Sequence, residues 1–541
     1  MIGRLDFLWP EIALFAATCI VMVLGLSRNF SVRKSSAWVC GIGLIVAGVL
    51  SALTTPGAPG APAPSAAHGQ LMLPMMVPFA KTLICIVALM LLPLLAGTVD
   101  RLEETRIASG KGGFNPLRSN RAEFYSFFLF SITGLLLVAD ADDLIWLFLA
   151  LELTSLPTYV MVAISSSRHR SQEAAVKYFF LGAMGAAIFL YGFALLYGAT
   201  GSTNLNVIHA SLSASGPSTL ALAGLMLSVL GLCFKIAAVP MHFYTADVYQ
   251  GASSGVAAML AFVPKAAGFL AILLMVGLVG WNYGPSGTSL PDSMRLLLWV
   301  IAALTMTVGN VLAILQSSAK RTLAYSSVAH SGYMLVGVIA GPGDGSFTTS
   351  GISAVLFYLL AYGVTNMGAF AALASVEKPS ADGSEPRELD SFEDLRGLCR
   401  THPAAGWTMV LCSLSLLGLP PLLGFFGKLP LFTSGISAGE IPLVIVLAIN
   451  SAIAAFYYLR LMAYPLLEDP AVRGDSSVDN PFLSRRFAGL ISAGGVVVLA
   501  VCANALMKQS AIAGKYESPH SARATPEPAA LTASTKPQES R

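Results

Sequence analysis

About fourteen stretches of this chain are apolar over the length that a bilayer demands. A hydrocarbon core of ~30 Å takes ~20 residues of helix. Runs of that size stand at 5–26, 36–54, 71–97, 123–139, 143–164, 174–199, 219–240, 255–280, 294–316, 322–341, 351–375, 405–427, 440–465 and 487–507. Pro74, Pro78 and Pro93 interrupt the third run, and the stretch around 240–255 is hard to bound. Backbone in lipid must satisfy its own hydrogen bonds, so runs of this length are read as helices. The fold class is an all-α polytopic membrane protein. Composition agrees: 55% of the 541 residues are hydrophobic, 11% are charged and the mean hydropathy is +0.71. A soluble chain carries charge on about a quarter of its residues, and that surface is missing here.

The connectors test the count. The odd ones carry Arg28, Arg33 and Lys34; then Arg101, Arg106, Lys111, Arg118 and Arg121; then Arg168 and Arg170; then Lys320 and Arg321; then Lys378, Arg387, Arg396 and Arg400; then Arg473, Arg485 and Arg486. The seventh, 241–254, has no lysine or arginine. Even connectors are nearly bare: the second is rich in Pro, Gly and Ala, and the fourth holds Asp140, Asp142 and Asp143. A missed or invented helix would scramble this alternation. The positive-inside rule then places odd connectors in the cytoplasm and both termini outside.

Other classes lack support in the sequence. The net charge of +3 is small and the basic residues sit in loops, which gives no basis for nucleic-acid binding. None of the seven cysteines forms Cys-x-x-Cys or another close pair with metal-ligand spacing. No Gly-rich phosphate loop follows a strand. Glu11 interrupts the first apolar run and no small-residue cleavage site stands out, unlike a signal peptide. The tail from Lys508 to Arg541, rich in Pro, Ala, Ser, Thr and Glu, reads as disordered. The 378–400 connector is a sizeable polar segment, too short for a domain but long enough to dock a neighbouring subunit.

Within the apolar runs stand residues that lipid disfavours. A charge at mid-membrane costs roughly 2.5–3.5 kcal/mol on insertion scales. Glu152 lies about nine residues into its run, and Lys265, after Pro264, about ten residues into its own. Ten residues of helix rise ~15 Å, which is near the midplane. Lys235 precedes Pro240; proline lacks an N–H, so the carbonyl of Ile236 is expected to lose its helical partner and a hydrated pocket to form beside the lysine. Lys428 follows Pro420, Pro421, Gly418, Gly424 and Gly427, which argue for a broken helix, and a straight count puts it near the outer mouth. Lysines near helix ends can also snorkel to the headgroups, and Lys235 and Lys428 stay open to that reading. Lys177 stands near the cytoplasmic face, as a proton feed or as a marker of the positive inside. His330 is mid-span, a packing histidine or a relay with an ordinary pKa near 6.5. A buried glutamate beside a lysine ionises, so Glu152 and Lys235 are expected to pair. Both halves hold a span with a Pro break and a lysine, at 235–240 and 420–428, the mark of an inverted-repeat transporter.

These blocks resemble a known family. Phe234-Lys235-Ile236-Ala237-Ala238-Val239-Pro240-Met241-His242 with Asp247-Val248-Tyr249, the stretch Lys320 to Tyr333, Leu149 to Tyr159 and Glu173 to Tyr178 are similar to antiporter-like membrane subunits of proton-translocating NADH:quinone oxidoreductase, over roughly 120–465. Among those, subunit N fits better than M, through lysine at 428, and better than L, whose long lateral helix is missing. The resemblance implies fourteen helices with two inverted five-helix repeats and broken helices. It implies a gating pair Glu152–Lys235, a central relay Lys265 and an exit-side donor Lys428, with Lys177 and His330 as further relays. The expected divisions are an N-terminal three-helix segment with its cytoplasmic loop (1–120), repeats at 121–280 and 281–465, a C-terminal transmembrane helix (466–507) and a disordered tail (508–541). The chain is expected to be a non-redox translocase subunit with no cofactor of its own. NAD, quinone, FMN and iron–sulfur clusters then belong to other subunits. Its partners are the lipid bilayer, further antiporter-like subunits and small hydrophobic subunits, and its location is a bacterial-type inner (plasma) membrane. A multi-subunit cation/proton antiporter or hydrogenase-type complex is an alternative, and a membrane scaffold without transport is another. The stretch Ala246 to Ser254 departs from the family pattern by a proline pair and an acid, and the insert at 54–69 is unusual.

Overall fold

The computed structural model describes residues 8–54, 73–108, 114–115, 119–166, 169–285, 287–378, 386–470, 478–479 and 482–516. The insert at 54–69 and the tail beyond 516 lie outside the described residues, but for Thr54. Three helices come first: α1 (Trp9–Gly25), α2 (Ser36–Leu53) and α3 (Met76–Leu91). The next five crossings are α4 (Arg121–Ala139), α5 (Leu144–Ile164), α6 (His169–Thr200), the split pair α7 (Thr219–Lys235) and α8 (Thr245–Gly251), and α9 (Ser254–Gly277). Five more repeat that plan: α10 (Asp292–Ile314), α11 (Ala319–Ala340), α12 (Gly351–Ala374), the split pair α13 (Pro403–Leu417) and α14 (Leu423–Ser437), and α15 (Ile441–Leu466). Then come α16 (Leu483–Val501) and a shorter α17 (Ala503–Ala513). An odd number of crossings per repeat sends the second repeat through the bilayer in the opposite sense, so the two are inverted. Among the described residues eleven helices are long and apolar enough to cross alone, and α1, α7 and α13 are shorter apolar helices.

Three expectations change. The seventh connector, 241–254, holds a helix: Pro240 stops α7, and the chain resumes as α8 on the basic side. The twelfth span runs beyond 427, because the break at Gly418 to Leu422 interrupts it and α14 carries the crossing on to Ser437. The expected tail from 508 begins as helix, since Ser510 and Ala513 of α17 are buried where α17 packs on α12.

The core lies between the repeats. Every residue of α9 and of α12 is buried, and α9 packs against α4, α5, α7 and α12. Apolar attraction between helices vanishes in lipid, so close approach of small residues holds them. On α6 and α7 this falls to Gly185, Gly192, Gly224 and Gly231. A Cβ at Gly231 would stand 2.4 Å from the Phe189 backbone nitrogen, and one at Gly192 would stand 2.5 Å from that of Ser228.

On the side of the basic connectors, β1 (Val376–Lys378), β2 (Arg387–Glu388) and β3 (Val478–Asp479) form an antiparallel sheet in the order β2-β1-β3. On the opposite side Lys81 of α3 is held by Glu11 of α1 at 2.8 Å and by Asp140, at the end of α4, at 2.5 Å. This triad pins α1 and α3 to the first repeat. Lys81 sits in an apolar run like the other lysines, but the prolines around it hid its helical register.

Replacing Gly231 with Leu forces α6 and α7 apart and is expected to destabilise the protein by about 1–3 kcal/mol. Thermal unfolding of the purified protein checks this. Gly494→Ala, which meets nothing within 4 Å, should leave the midpoint unchanged.

Candidate functional site: a buried row of ionisable groups

The row starts where α7 ends. Asp143 caps α5 by accepting from Ile145 N at 2.8 Å, and that start sets Glu152 midway along the helix. Lys235 closes α7 and is buried; its Nζ donates to Ser155 Oγ at 2.5 Å and to Glu152 Oε1 at 3.3 Å. The expected pair is formed, with Glu152 20% exposed at the surface of the chain. Lys235 does not snorkel.

The break behind Lys235 is knit by protein. Ile236 O accepts from Ser331 Oγ at 2.5 Å, Val239 N donates to Thr305 Oγ1 at 3.0 Å, and Phe234 O accepts from Tyr244 OH at 2.9 Å. Ser331 and Thr305 belong to α11 and α10, so the second repeat satisfies the first repeat's broken backbone. The carbonyl that Pro240 frees therefore has a donor in the second repeat.

Lys265 stands in the middle of α9 and is buried. Its Nζ donates to Ser327 Oγ at 2.7 Å and to Ser327 O, and lies 4.5 Å from the Tyr362 ring centroid. Among the described residues no carboxylate pairs with it. Ser331 ties together the backbone beside the two lysines: its hydroxyl touches Ile236 O and, at 3.3 Å, Ser327 O. Packing brings them close: a Cβ at Gly268, one turn past Lys265, would lie 3.0 Å from Lys235 Cβ.

His330, one turn from Ser327, lies between two hydroxyls. Its Nδ1 is 2.5 Å from Tyr358 OH and its Nε2 is 2.7 Å from Tyr458 OH, and the latter hydroxyl is 2.5 Å from Ser326 Oγ. Rings continue the row, with His330 5.1 Å from Tyr362 and 5.4 Å from Tyr333. Lys428 closes it, 5.2 Å from the Tyr333 ring. It is buried on the second half-helix, and its Nζ donates to Leu417 O at 2.9 Å, the last carbonyl before the break. The straight count that put it near the outer mouth runs through the break and so misplaces it. Gly418, at φ +90°, would drive any Cβ to 2.9 Å from Lys428 Cδ.

Lys177 stands apart from the row. It is 43% exposed and bridges Glu173 at 2.7 Å and Asp247 at 3.0 Å. Asp247 also takes Arg321 at 2.7 Å, and Gln250 reaches Asp390 at 2.9 Å, so the altered stretch 246–254 is tied into the basic side. Sequence reasoning missed Ser155, Ser327, Ser331, Tyr333, Tyr358 and Tyr458. Serine and tyrosine in apolar helices carry no charge, and only their partners mark them. Among the described residues no group of three or more His, Cys, Asp or Glu is placed to hold a metal.

Two inverted repeats with a half-broken helix in each, threaded by buried lysines, define an antiporter-like membrane subunit. The family model described as NADH:quinone oxidoreductase/Mrp antiporter, TM, matches residues 141–454, and the chain belongs to that family. It is 42% identical over 366 residues to NADH-quinone oxidoreductase subunit N 1 of Sorangium cellulosum, covering 66% of this chain and 70% of that protein. It is 42% identical over 345 residues to NADH-quinone oxidoreductase subunit N of Mycobacterium tuberculosis, covering 64% of this chain and 62% of that one. Among solved structures, a chain of respiratory complex I from Thermus thermophilus superposes with a TM-score of 0.72 and 32% identity, over 94% of this chain and all of that chain. The Mrp complex from Dietzia sp. DQ12-45-1b shares the fold, with a TM-score of 0.71 and 21% identity over 94% of this chain and 96% of that chain.

Ser331→Ala leaves the Ile236 carbonyl buried without its donor, which is expected to cost about 1–3 kcal/mol. The thermal midpoint of the purified complex should fall accordingly, and Ser331→Thr, which keeps the hydroxyl, should recover most of the loss.

Proposed function

We propose that this chain is a proton-translocating membrane subunit of an NADH:quinone oxidoreductase and itself holds no redox group. NAD, quinone, FMN and iron–sulfur clusters belong to other subunits of the complex. Its neighbours are further antiporter-like and small hydrophobic membrane subunits in a bacterial inner membrane. The basic side faces the cytoplasm and both termini lie outside, by the distribution of lysine and arginine. The observation that carries the reading is Lys265: a lysine in the middle of a fully buried helix, bound to Ser327 and standing between Lys235 and Lys428.

In the proposed cycle a proton arrives from the cytoplasm near Lys177 and loads Lys235 while Glu152 is close. A displacement passed from a neighbouring subunit parts that pair and releases Lys235 from its carboxylate. The proton passes through water to Lys265, then past His330 and its tyrosines to Lys428, and leaves outside. Moving a charge against the membrane potential takes ~2.3 kcal/mol per 100 mV. Two unit charges 3.3 Å apart attract by about 5 kcal/mol at an effective dielectric constant of ~20. Parting one pair is therefore an event of the same size as pushing one proton uphill.

Lys235→Ala is expected to abolish NADH-driven proton translocation in membrane vesicles while the complex still assembles. Wild-type pumping in that variant would refute the assignment. The experiment also separates the cation/proton antiporter reading, which requires sodium-dependent transport by the purified protein in liposomes without NADH or quinone. A scaffold would leave Lys265→Ala and Glu152→Gln silent in turnover.

A further inference from the structure

The basic side holds a second lysine–glutamate pair that the route past Lys177 does not use. Lys320, the second residue of α11, is buried. Its Nζ donates to Glu388 Oε2 at 3.1 Å and to Ala252 O at 3.2 Å. Ala252 ends α8. The same Glu388 oxygen accepts from Ser254 N at 2.8 Å and from Ser254 Oγ at 2.6 Å, in the first turn of α9. One ammonium and one carboxylate therefore close the place where α8, α9 and α11 meet.

Two helix faces lead inward from that place. Ser254 and Lys265 are eleven residues apart, about three turns, so they share a face of α9. Lys320 and Ser327 are seven apart, about two turns, so they share a face of α11. The α9 positions between are Ala258 and Ala261; on α11 they are Leu323 and Ala324. Small side chains thus line most of a seam ~16 Å long. The Lys320–Glu388 pair stands at its cytoplasmic end, and Lys265 on Ser327 stands at its inner end.

Burial pushes the Glu388 carboxyl up, but Lys320, Arg485 and Ser254 outweigh it and hold the carboxyl at about 2. It stays ionised at cytoplasmic pH, so titration does not break the pair. Its anchors reach into neighbouring elements. Arg485 of α16 binds Glu388 Oε1 at 3.0 Å and also Ala96 O at 2.8 Å, past the end of α3. Arg321, next to Lys320, holds Asp247 of α8, which in turn holds Lys177.

We propose that Lys320 and Glu388 form the closed mouth of a second proton-uptake site, one that recharges Lys265 directly from the cytoplasm and not by way of Lys235. The proposal rests on the proton-translocating reading above. Once Lys265 has given its proton to the Lys428 side, its neutral amine takes up a proton from the cytoplasm, relayed through water admitted when the pair parts. Lys320 acts on Lys265 through that opening and is a positioning residue.

The test uses the whole complex in proteoliposomes. In Lys320→Met the mouth is expected to stand open. Passive proton conductance without NADH should rise several-fold, protons moved per electron should fall, and Lys320→Arg should restore both. A structural role alone would lower the yield of complex and leave these two readouts at wild type; that result overturns the proposal. If Lys320→Met does not assemble, Ala258→Val narrows the seam, and pumping should then fall several-fold at normal assembly; unchanged pumping overturns the proposal equally. Lys265→Ala separates the two levels. Intact pumping in that variant sinks the translocation reading itself, whereas lost pumping there beside a wild-type Lys320→Met sinks only the second mouth.

Discussion

An ammonium in a low-dielectric interior must have oxygen within reach, and the rest of this structure follows from how that demand is met. Isolated burial of such a charge costs several kcal/mol even after relaxation. Lys235 meets the demand with a carboxylate, Lys265 with a serine, and Lys428 with the carbonyl of Leu417. The three lysines are thus solvated unequally, and only the first is neutralised. A proton on Lys235 is held by an opposite charge, whereas one on Lys265 or Lys428 is held by dipoles and ring faces. Such a gradient favours transfer once the pair at the head of the row is disturbed.

The broken helices place two of those lysines, Lys235 at the end of α7 and Lys428 on α14, and supply one of the oxygens, that of Leu417. Each break frees carbonyls that lipid cannot satisfy. In the first repeat Ser331 and Tyr244 supply the donors and leave Lys235 for Glu152. In the second, the lysine itself answers the freed carbonyl of Leu417, and Gly424 N turns to Ser415 Oγ at 3.0 Å. Because Ser331 comes from the other repeat, the break near Lys235 is tied to α11, whose Ser327 binds Lys265. The same serine touches the carbonyl that binds Lys265. Structural repair and the polar path are here one set of atoms.

Much of this was legible in the sequence. The length of the apolar runs and the alternation of basic connectors gave the number of crossings, because both report directly on the bilayer. Glu152, Lys235 and Lys265 stood out because charge in lipid is costly wherever the side chain points. Position along a broken span was not legible. Lys428 was placed by counting residues at a constant rise, and Gly418, Pro420 and Pro421 invalidate that count. The α8 half-helix escaped for a related reason, since seven residues between a proline and a loop carry too little periodicity to be read. The neutral members of the row escaped altogether. Ser327, Ser331 and Tyr458 are ordinary residues until tertiary packing supplies a lysine, a broken carbonyl or a histidine beside them. Lys320 read as one more positive-inside marker, yet it is buried beneath a connector whose sheet could not be seen in two- and three-residue strands.

The central claim is that Lys235, Lys265 and Lys428 are joined by groups able to pass a proton. An experimental density map of the assembled complex, at a resolution that shows ordered water, tests it most directly. The account predicts water or hydroxyl contacts without a gap from Glu152 through Ser331, Ser327 and the His330 tyrosines to Lys428. A dry apolar wall between Lys265 and Lys428, with each ammonium enclosed by its own partners alone, would contradict it.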